Sequence, residues 1–86
     1  MARNNAKINA RLIDLLNIID ARASVNIFVL APGEDRERNI KYDLVYEILT
    51  DKDFMRQYKS YEVIGLNIGL VNNILIKEGL RKWIER

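Results

Sequence analysis

A small acidic cluster in the middle of the chain is the first place to look for chemistry. Asp51 and Asp53 flank Lys52, and Asp43 and Glu47 precede them. Paired carboxylates can act as a general acid and base, or hold a divalent cation. Side chains two apart on a helix diverge, however, and a hard cation needs more oxygen ligands than this run brings together. Helix capping therefore explains the cluster better than catalysis, and we predict no metal site.

The residue types missing from the chain exclude most other catalytic routes. The 86 residues include no His and no Cys, and the only hydroxyl side chains apart from the tyrosines are Ser24, Thr50 and Ser60. Gly65 and Gly69 lack the spacing and following helix of a dinucleotide-binding loop, and turn formation explains them better. We therefore expect a protein that is not an enzyme, with no catalytic residue and no cofactor.

A charged loop is the first candidate contact surface. Ala31-Pro32-Gly33 has the chemistry of a turn, and a run of charged residues of both signs follows it. Such a run often serves only to keep a loop solvated, yet functional residues do gather on loops held by rigid strands. We predict that these residues contact a protein partner and tune selectivity: Glu34, Asp35, Arg36 and Arg38.

Trp83 is the second candidate contact. With Leu80 and Ile84 it forms an apolar stripe at helical spacing near the C-terminus. Trp is enriched at the energetic centres of interfaces, although the same stripe could close an open face of the domain itself. We predict that Trp83 and Arg81 contribute binding energy, and leave the intramolecular alternative open.

Basic residues near both termini support an alternative function in nucleic-acid binding. The net charge is only +2, weaker than is usual for a dedicated DNA-binding domain. Tyrosines among basic residues in the middle of the chain could stack on bases, but the acidic residues there would repel phosphates. Packing at the edge of the core is the better explanation for the tyrosines. The alternative would use Arg3, Lys7, Arg11, Arg81, Lys82 and Arg86.

Hydrophobic periodicity predicts the elements of the first half. Apolar residues recur at helical spacing from Ile8 to Ile19, which predicts an amphipathic helix with Ile18 on its flank. Val25–Leu30 is rich in β-branched and aromatic residues and predicts a central strand. A short strand over Ile40–Tyr42 is expected to pair with it, although the start of a helix remains possible for residues 39–43.

The second half predicts two short helices and a hairpin. Asp43 is expected to cap a helix through Leu49, and Thr50 to cap the next, over Asp51–Lys59, in a capping box with Asp53. Tyr61–Ile68 and Ile74–Lys77 then alternate as two strands, and a glycine at position 65 indicates a bulge.

Together these elements predict an α+β fold in a single domain spanning residues 1–86, with 1–7 a frayed polar end. We expect a mostly antiparallel sheet of three to four strands, the N-terminal helix packed on one face, short middle helices and a short C-terminal helix. Zero Cys suits a reducing cytoplasm, no apolar segment follows Met1 as in a signal peptide, and no apolar run is long enough to span a bilayer.

Several segments resemble a group of known proteins. The chain resembles short uncharacterised proteins of phages and prophages of Gram-positive bacteria in three places. These are the run Leu12-Ile13-Asp14-Leu15-Leu16-Asn17-Ile18-Ile19-Asp20, the strand Val25-Asn26-Ile27-Phe28, and the closing pair around Val63-Ile64-Gly65-Leu66 and Ile74-Leu75-Ile76. The resemblance implies an accessory protein that regulates or inhibits a host protein, with anti-CRISPR proteins as one such class. It transfers no functional residue.

The sequence thus favours a non-enzymatic protein-binding module in the cytoplasm, with a protein partner and no membrane association. Weak nucleic-acid binding is the first alternative. The second is a self-associating structural protein, in which an edge strand or the terminal helix forms a two-fold homodimer.

Overall fold

The computed structural model of the protein describes residues 10–78, which fold around a four-stranded sheet with helices α1–α3. This small α+β arrangement agrees with the predicted fold class. The elements in chain order are α1 (Leu12–Leu16), β1 (Ser24–Val29), β2 (Arg38–Leu44), α2 (Val45–Thr50), α3 (Lys52–Tyr58), β3 (Glu62–Asn67) and β4 (Asn72–Lys77).

The sheet is mixed, with the strand order β2-β1-β4-β3. β1 pairs antiparallel with β2, and β3 pairs antiparallel with β4, which are the two hairpins that the sequence predicts. The two central strands, β1 and β4, run parallel, and Ile27 lies opposite Ile74 between them. The expectation of a mostly antiparallel sheet therefore holds for two of the three pairings, while the centre differs from it.

The alternation in β1 places one row of side chains in the core. Val25, Ile27 and Val29 are buried, as are Ile74 and Ile76 on the neighbouring strand β4. Burying a side chain of this size contributes roughly 1.5–3 kcal/mol. This row, shared by the two central strands, fixes the position of both hairpins, and it confirms the prediction that β1 is a central strand.

The middle helices complete the core beside the sheet. Val45 and Ile48 of α2 and Met55 of α3 are buried in the same cluster as the sheet residues. The core also contains a polar side chain, Asn72, whose Nδ2 donates to the carbonyl oxygen of Ser24 at 3.3 Å. This bond satisfies a polar group that burial would otherwise destabilise.

The first helix is shorter than predicted. Of the segment Ile8–Ile19, residues 8 and 9 lie outside the described part, and α1 begins only at Leu12. Arg11 is extended and forms an isolated bridge to Glu62, and the backbone N–H of Leu12 donates to the carbonyl of Tyr61 at 2.9 Å. Backbone groups before α1 are thus engaged with the start of β3, which prevents an earlier helical turn.

The C-terminal end of this helix also differs from the prediction. α1 ends at Leu16, so Ile18 lies beyond it and its side chain is 79% exposed. The expectation that Ile18 flanks a buried helical stripe was wrong. The helical period stops at Leu16 because the chain turns through residues 17–22 toward β1.

Residues 39–43 form a strand, which settles the ambiguity left by the sequence. Asp43 therefore does not cap a helix: its carboxylate accepts a hydrogen bond from the backbone N–H of Leu44, and α2 begins at Val45 without a side-chain cap. β2 continues up to the first residue of the helix and leaves no separate turn for a cap.

The cap of α3 was predicted one residue too early. Asp51, not Thr50, is the N-cap, and its carboxylate accepts from the backbone N–H of Phe54 at 3.2 Å. Thr50 is the last residue of α2, and its hydroxyl donates to carbonyl groups of the preceding turn. The proposed capping box between Thr50 and Asp53 is therefore absent, although a helix over Lys52–Tyr58 is confirmed.

A bulge interrupts β3. The register shifts between Val63 and Gly65, so Val63 lies opposite Ile76, whereas Gly65 lies opposite Leu75. The strict alternation expected through Ile68 fails at this point, but the bulge indicated by Gly65 is confirmed. The predicted frayed segment 1–7 and the terminal helix around Trp83 lie outside the described residues.

Candidate protein-interaction surface

The charged loop after β1 is displayed to solvent. Gly33 has φ +82°, and the backbone N–H of Glu34 donates to the carbonyl of Ala31 at 3.0 Å, so the predicted turn is present. Arg38 Nε lies 3.9 Å from Glu34 Oε1, and because both side chains are largely exposed this pair contributes little. The four predicted contact residues of the loop are all exposed: Glu34, Asp35, Arg36 and Arg38.

The other predicted contacts fall mostly outside the described residues. Arg81 and Trp83 do so, as do five of the six nucleic-acid candidates: Arg3, Lys7, Arg81, Lys82 and Arg86. Arg11, the sixth, is exposed, and its backbone N–H donates to the Asp14 carboxylate at 3.1 Å. The structure therefore brings no predicted basic cluster together within residues 10–78.

The acidic cluster serves local structure. Asp51 Oδ2 accepts from Lys41 Nζ at 2.6 Å, and Asp53 pairs with Arg56 at 3.1 Å. The hydrogen bond from Lys41, and then the one from the Phe54 backbone, lower the pKa of Asp51 below its ordinary value. Within residues 10–78 no group of acidic side chains is arranged to hold a metal ion.

The tyrosines divide into two pairs. Tyr58 and Tyr61 pack against the core edge, where the Tyr58 ring lies 4.9 Å from that of Phe54 and 5.0 Å from that of Tyr61. Burial, followed by the nearby charge of Glu78, raises the pKa of Tyr61. Tyr42 and Tyr46 are instead exposed, on β2 and α2. The four rings therefore do not form one stacking platform.

A group of exposed apolar side chains is one feature that the sequence interpretation missed. It consists of four side chains on β3 and the turn after it, which we call the hairpin patch: Ile64, Leu66, Ile68 and Leu70. Ile68 is 70% exposed and Leu70 is fully exposed. Exposed apolar side chains that cluster on a soluble domain mark interaction sites.

A charge-free run was the signal that could have revealed this patch. From Val63 to Ile76 the chain has fourteen residues without a charged side chain, in a protein of which 30% is charged. Ile74 and Ile76 are buried, so the core accounts for the β4 part of the run. It does not account for Ile68 and Leu70, which take no part in the core that residues 10–78 form.

A groove on the face of the sheet that residues 10–78 leave open adjoins the hairpin patch. It has a volume of about 360 Å³, and its floor includes Phe28, Leu75 and Gly65. A Cβ atom at Gly65 would lie 3.3 Å from the Cβ of Leu75, so the glycine leaves the Leu75 side chain uncovered. Glu37 lines the groove near the charged loop, and Leu66 links it to the patch.

A row of amide side chains crosses the same open face. The register places Tyr42, Asn26, Asn73 and Asn67 side by side on the four strands. Asn39 Nδ2 donates to Asn26 Oδ1 at 3.0 Å, which holds that end of the row. The open face thus offers amide and aromatic groups beside an apolar groove.

The turn that carries Ile68 and Leu70 and the charged loop lie at opposite ends of the sheet. Val25 pairs with Asn72 at the end where the turn of residues 68–71 lies, and Val29 pairs with Ile76 at the end where β1 enters the charged loop. One small partner could contact either end, but contact with both would require it to span the sheet.

Comparison with known proteins adds no relative. No protein-family model matches the chain, no curated protein matches it, and no solved structure resembles it closely enough to count as a match. The described residues therefore define a class, a small α+β domain with a four-stranded mixed sheet, and the resemblance to phage accessory proteins stays a prediction. Within residues 10–78 no helix is long and apolar enough to cross a membrane.

Proposed function

We propose that this protein is a non-enzymatic protein-binding module, of the kind used by phage-derived regulators and inhibitors of host proteins, anti-CRISPR proteins among them. The observation that carries the proposal is the hairpin patch, whose Ile68 and Leu70 side chains are exposed without serving the core. A protein surface can remove these groups from water, at a gain of roughly 25 cal/mol for each Å² of apolar area. Nucleic acid would instead require cationic side chains at the surface.

The charges in the described residues also favour a protein partner. Lys41 pairs with Asp51 and Arg56 pairs with Asp53, so two of the basic side chains are already engaged in ion pairs. The hairpin patch itself carries no charge. The charged loop lies at the opposite end of the sheet from Ile68 and Leu70, and it can influence encounter rates and selectivity, as charges outside an interface core commonly do.

The proposal also includes three more specific statements. The first helix, α1, packs on one face of the sheet, Trp83 and Arg81 add binding energy, and the protein acts in the cytoplasm. A Trp83→Ala variant that loses stability but keeps its partner affinity would contradict the role of Trp83.

The test is a pull-down of the tagged full chain from nuclease-treated bacterial lysate, read by mass spectrometry. We expect one stoichiometric protein partner that Leu70→Lys loses, because the charge must be desolvated at the contact. Ile18→Lys is the matched control, since Ile18 is also largely exposed but lies on the turn after α1. A partner that Leu70→Lys retains would contradict the proposal, and bound material that disappears with nuclease would favour nucleic-acid binding.

A further inference from the structure

Two apolar side chains face away from the core on the central strands of the sheet. Phe28 of β1 and Leu75 of β4 are neighbours in the register, and they alternate with the buried row that packs with the middle helices. Both are half-buried and form part of the floor of the groove of about 360 Å³. The solvated face of a sheet commonly carries polar side chains, so an apolar pair at its centre indicates that another group packs there.

The groove favours an apolar occupant with a positive charge. A Cβ atom at Gly65 would lie 3.3 Å from the Leu75 Cβ, so the glycine keeps the space above Leu75 open to a side chain from elsewhere. Glu37 is the only charged residue among the described residues that line the groove. Its carboxylate would attract a basic group on the occupant.

The segment that follows β4 has this composition. In residues 79–86, the apolar side chains Leu80, Trp83 and Ile84 recur at helical spacing, together with three basic residues and one acidic residue. A helix of this length is not stable in isolation, so its apolar stripe requires a surface on which to pack.

The end of β4 brings this segment within reach of the groove. Lys77 pairs with Glu62, and β4 therefore ends on the side of the sheet where the charged loop carries Glu37. Leu75 lies two residues before Lys77, about 7 Å back along the strand. Trp83 lies six residues after Lys77, a span of about 9 Å in a helix and about 20 Å in an extended chain. The segment is therefore long enough to turn back and place Trp83 over Leu75.

We propose that residues 79–86 fold back across the open face of the sheet and place Trp83 in the groove, against Phe28 and Leu75. Leu66 belongs both to the groove and to the hairpin patch, so Trp83 in this position extends the patch into one apolar surface. The proposal rests on the proposed protein-binding function and deepens it, because it gives Trp83 and the hairpin patch a common contact with the partner. Trp is the residue most typical of the energetic centre of such a contact.

The fluorescence of Trp83 reports on this segment alone, because the chain has a single tryptophan. In the purified full chain we expect emission at shorter wavelength, and weaker quenching by acrylamide, than in the urea-unfolded chain, since the indole ring leaves water. Both should be independent of protein concentration. Emission that matches the unfolded chain would overturn the proposal, as would protection lost on dilution, which would assign the groove to the segment of a second copy.

A charge in the floor of the groove tests where Trp83 lies. Leu75→Lys should restore the emission and quenching of an accessible Trp83, because it replaces the apolar floor and repels the basic segment. Tyr42→Lys is the matched control, since it places the same charge on the same face but outside the groove, and it should leave Trp83 protected. Circular dichroism verifies that both variants fold. Equal protection of Trp83 in the two variants would place it elsewhere and overturn the proposal.

The charged loop provides a second test that leaves the sheet unchanged. Glu37→Lys should raise the accessible fraction of Trp83 by about two- to fivefold, the effect of one exposed ion pair. Asp35→Lys is the control, because Asp35 is exposed on the same loop but does not line the groove. This pair decides the matter if Leu75→Lys does not fold, and equal effects of the two substitutions would contradict docking beside Glu37.

Binding experiments test the shared surface. Leu75→Lys and Trp83→Ala should each weaken binding of the captured partner by about tenfold or more, and the double variant should lose little beyond either, because both remove the same contact. Additive losses would overturn the shared surface.

Fluorescence is measured without a partner, so its outcome is separate from that of the proposed function. An accessible Trp83 in a chain whose partner is lost in Leu70→Lys would overturn the docking alone. A protected Trp83 in a chain that captures no other protein would support the docking and contradict the protein-binding function.

Discussion

Lys41 Nζ lies 2.6 Å from Asp51 Oδ2, so a side chain of edge strand β2 is joined to the N-cap of α3. The same ammonium lies 5.4 Å from the centre of the Phe54 ring, within the range of a cation–π contact. Asp51 thus has two roles, because it also accepts from the Phe54 backbone N–H. Two substitutions can separate the cap from the ion pair.

Asp51→Asn should keep the cap and lose the charge, since Asn caps helices as well as Asp does. The pKa of Asp51 is lowered in the folded state, so its contribution to stability is present above the ordinary value of 3.8 and is lost as pH falls through the folded pKa. The melting temperature of wild type should therefore fall more steeply in acid than that of Asp51→Asn.

Thermal unfolding followed by circular dichroism across acidic and neutral pH provides the measurement. Asp51→Ala, which removes both the cap and the charge, should melt below Asp51→Asn at every pH. Parallel pH profiles for wild type and Asp51→Asn would show that the ion pair with Lys41 does not contribute.

Most of the element order could be predicted from the sequence, because the signals were local. The β-branched run of Val25–Leu30 predicted a strand, and the glycine at position 65 predicted a bulge. Both predictions rest on residues close together in the sequence, and both were correct. The predicted helix boundaries were wrong where contacts with distant parts of the backbone set them. Arg11 is extended because it bridges to Glu62, about fifty residues away, and no local pattern records that contact.

The parallel pairing of β1 with β4 was not predictable for a similar reason. Both strands show apolar alternation, which indicates their buried face but not their direction relative to each other. The hairpin patch was different, since the charge-free run from Val63 to Ile76 was visible in the sequence. The run was interpreted as two core strands, because the sequence alone does not show that Ile74 is buried and Ile68 is exposed.

Ile27→Ala should be strongly destabilising. Ile27 is fully buried at the centre of the sheet, beside Ile74 on the parallel strand. Truncation leaves a cavity and should lower the free energy of unfolding by about 2–5 kcal/mol, compared with about 0.5–1.5 kcal/mol for the control Ile27→Val. Urea unfolding measures both, and equal losses for the two variants would mean that the site collapses around the smaller side chain.

Gly65→Ala should destabilise the bulge through one contact. The new Cβ would lie 3.3 Å from the Cβ of Leu75, which is tight enough to force a small shift and cost about 1 kcal/mol. In a Leu75→Ala background the same substitution should cost less, and a double-mutant cycle measures the difference.

Gly69→Ala is the matched control for that cycle. Its nearest neighbour would be the carbonyl oxygen of Val71 at 3.8 Å, an ordinary contact, so stability should change by less than about 0.5 kcal/mol. If Gly65→Ala and Gly69→Ala behaved alike, the close approach of Leu75 would not be the reason for glycine at the bulge.

Asn39→Asp should be more destabilising than Asn39→Ala. The Asn39 amide nitrogen donates to Asn26 Oδ1 at 3.0 Å and to the carbonyl oxygens of Ile27 and Lys41 at 3.3 and 3.4 Å, where β2 bulges. Alanine removes these bonds, at about 1 kcal/mol, whereas aspartate also directs a carboxylate oxygen at acceptors. Urea unfolding at neutral pH ranks the variants, and the reverse order would show that the amide does not hold the bulge.

The last prediction concerns the two ends of the sheet. Because the charged loop and Leu70 lie at opposite ends of the sheet, substitutions at each should affect binding of a partner in different ways. Arg36→Ala with Arg38→Ala should change the association rate and its salt dependence by a few fold and leave dissociation nearly unchanged, as charges outside the contact do. Leu70→Lys should instead speed dissociation, since it places a charge within the apolar contact. Surface plasmon resonance with the purified partner at two salt concentrations measures both rates. Faster dissociation from the arginine variants, with Leu70→Lys behaving as wild type, would move the binding surface to the charged loop.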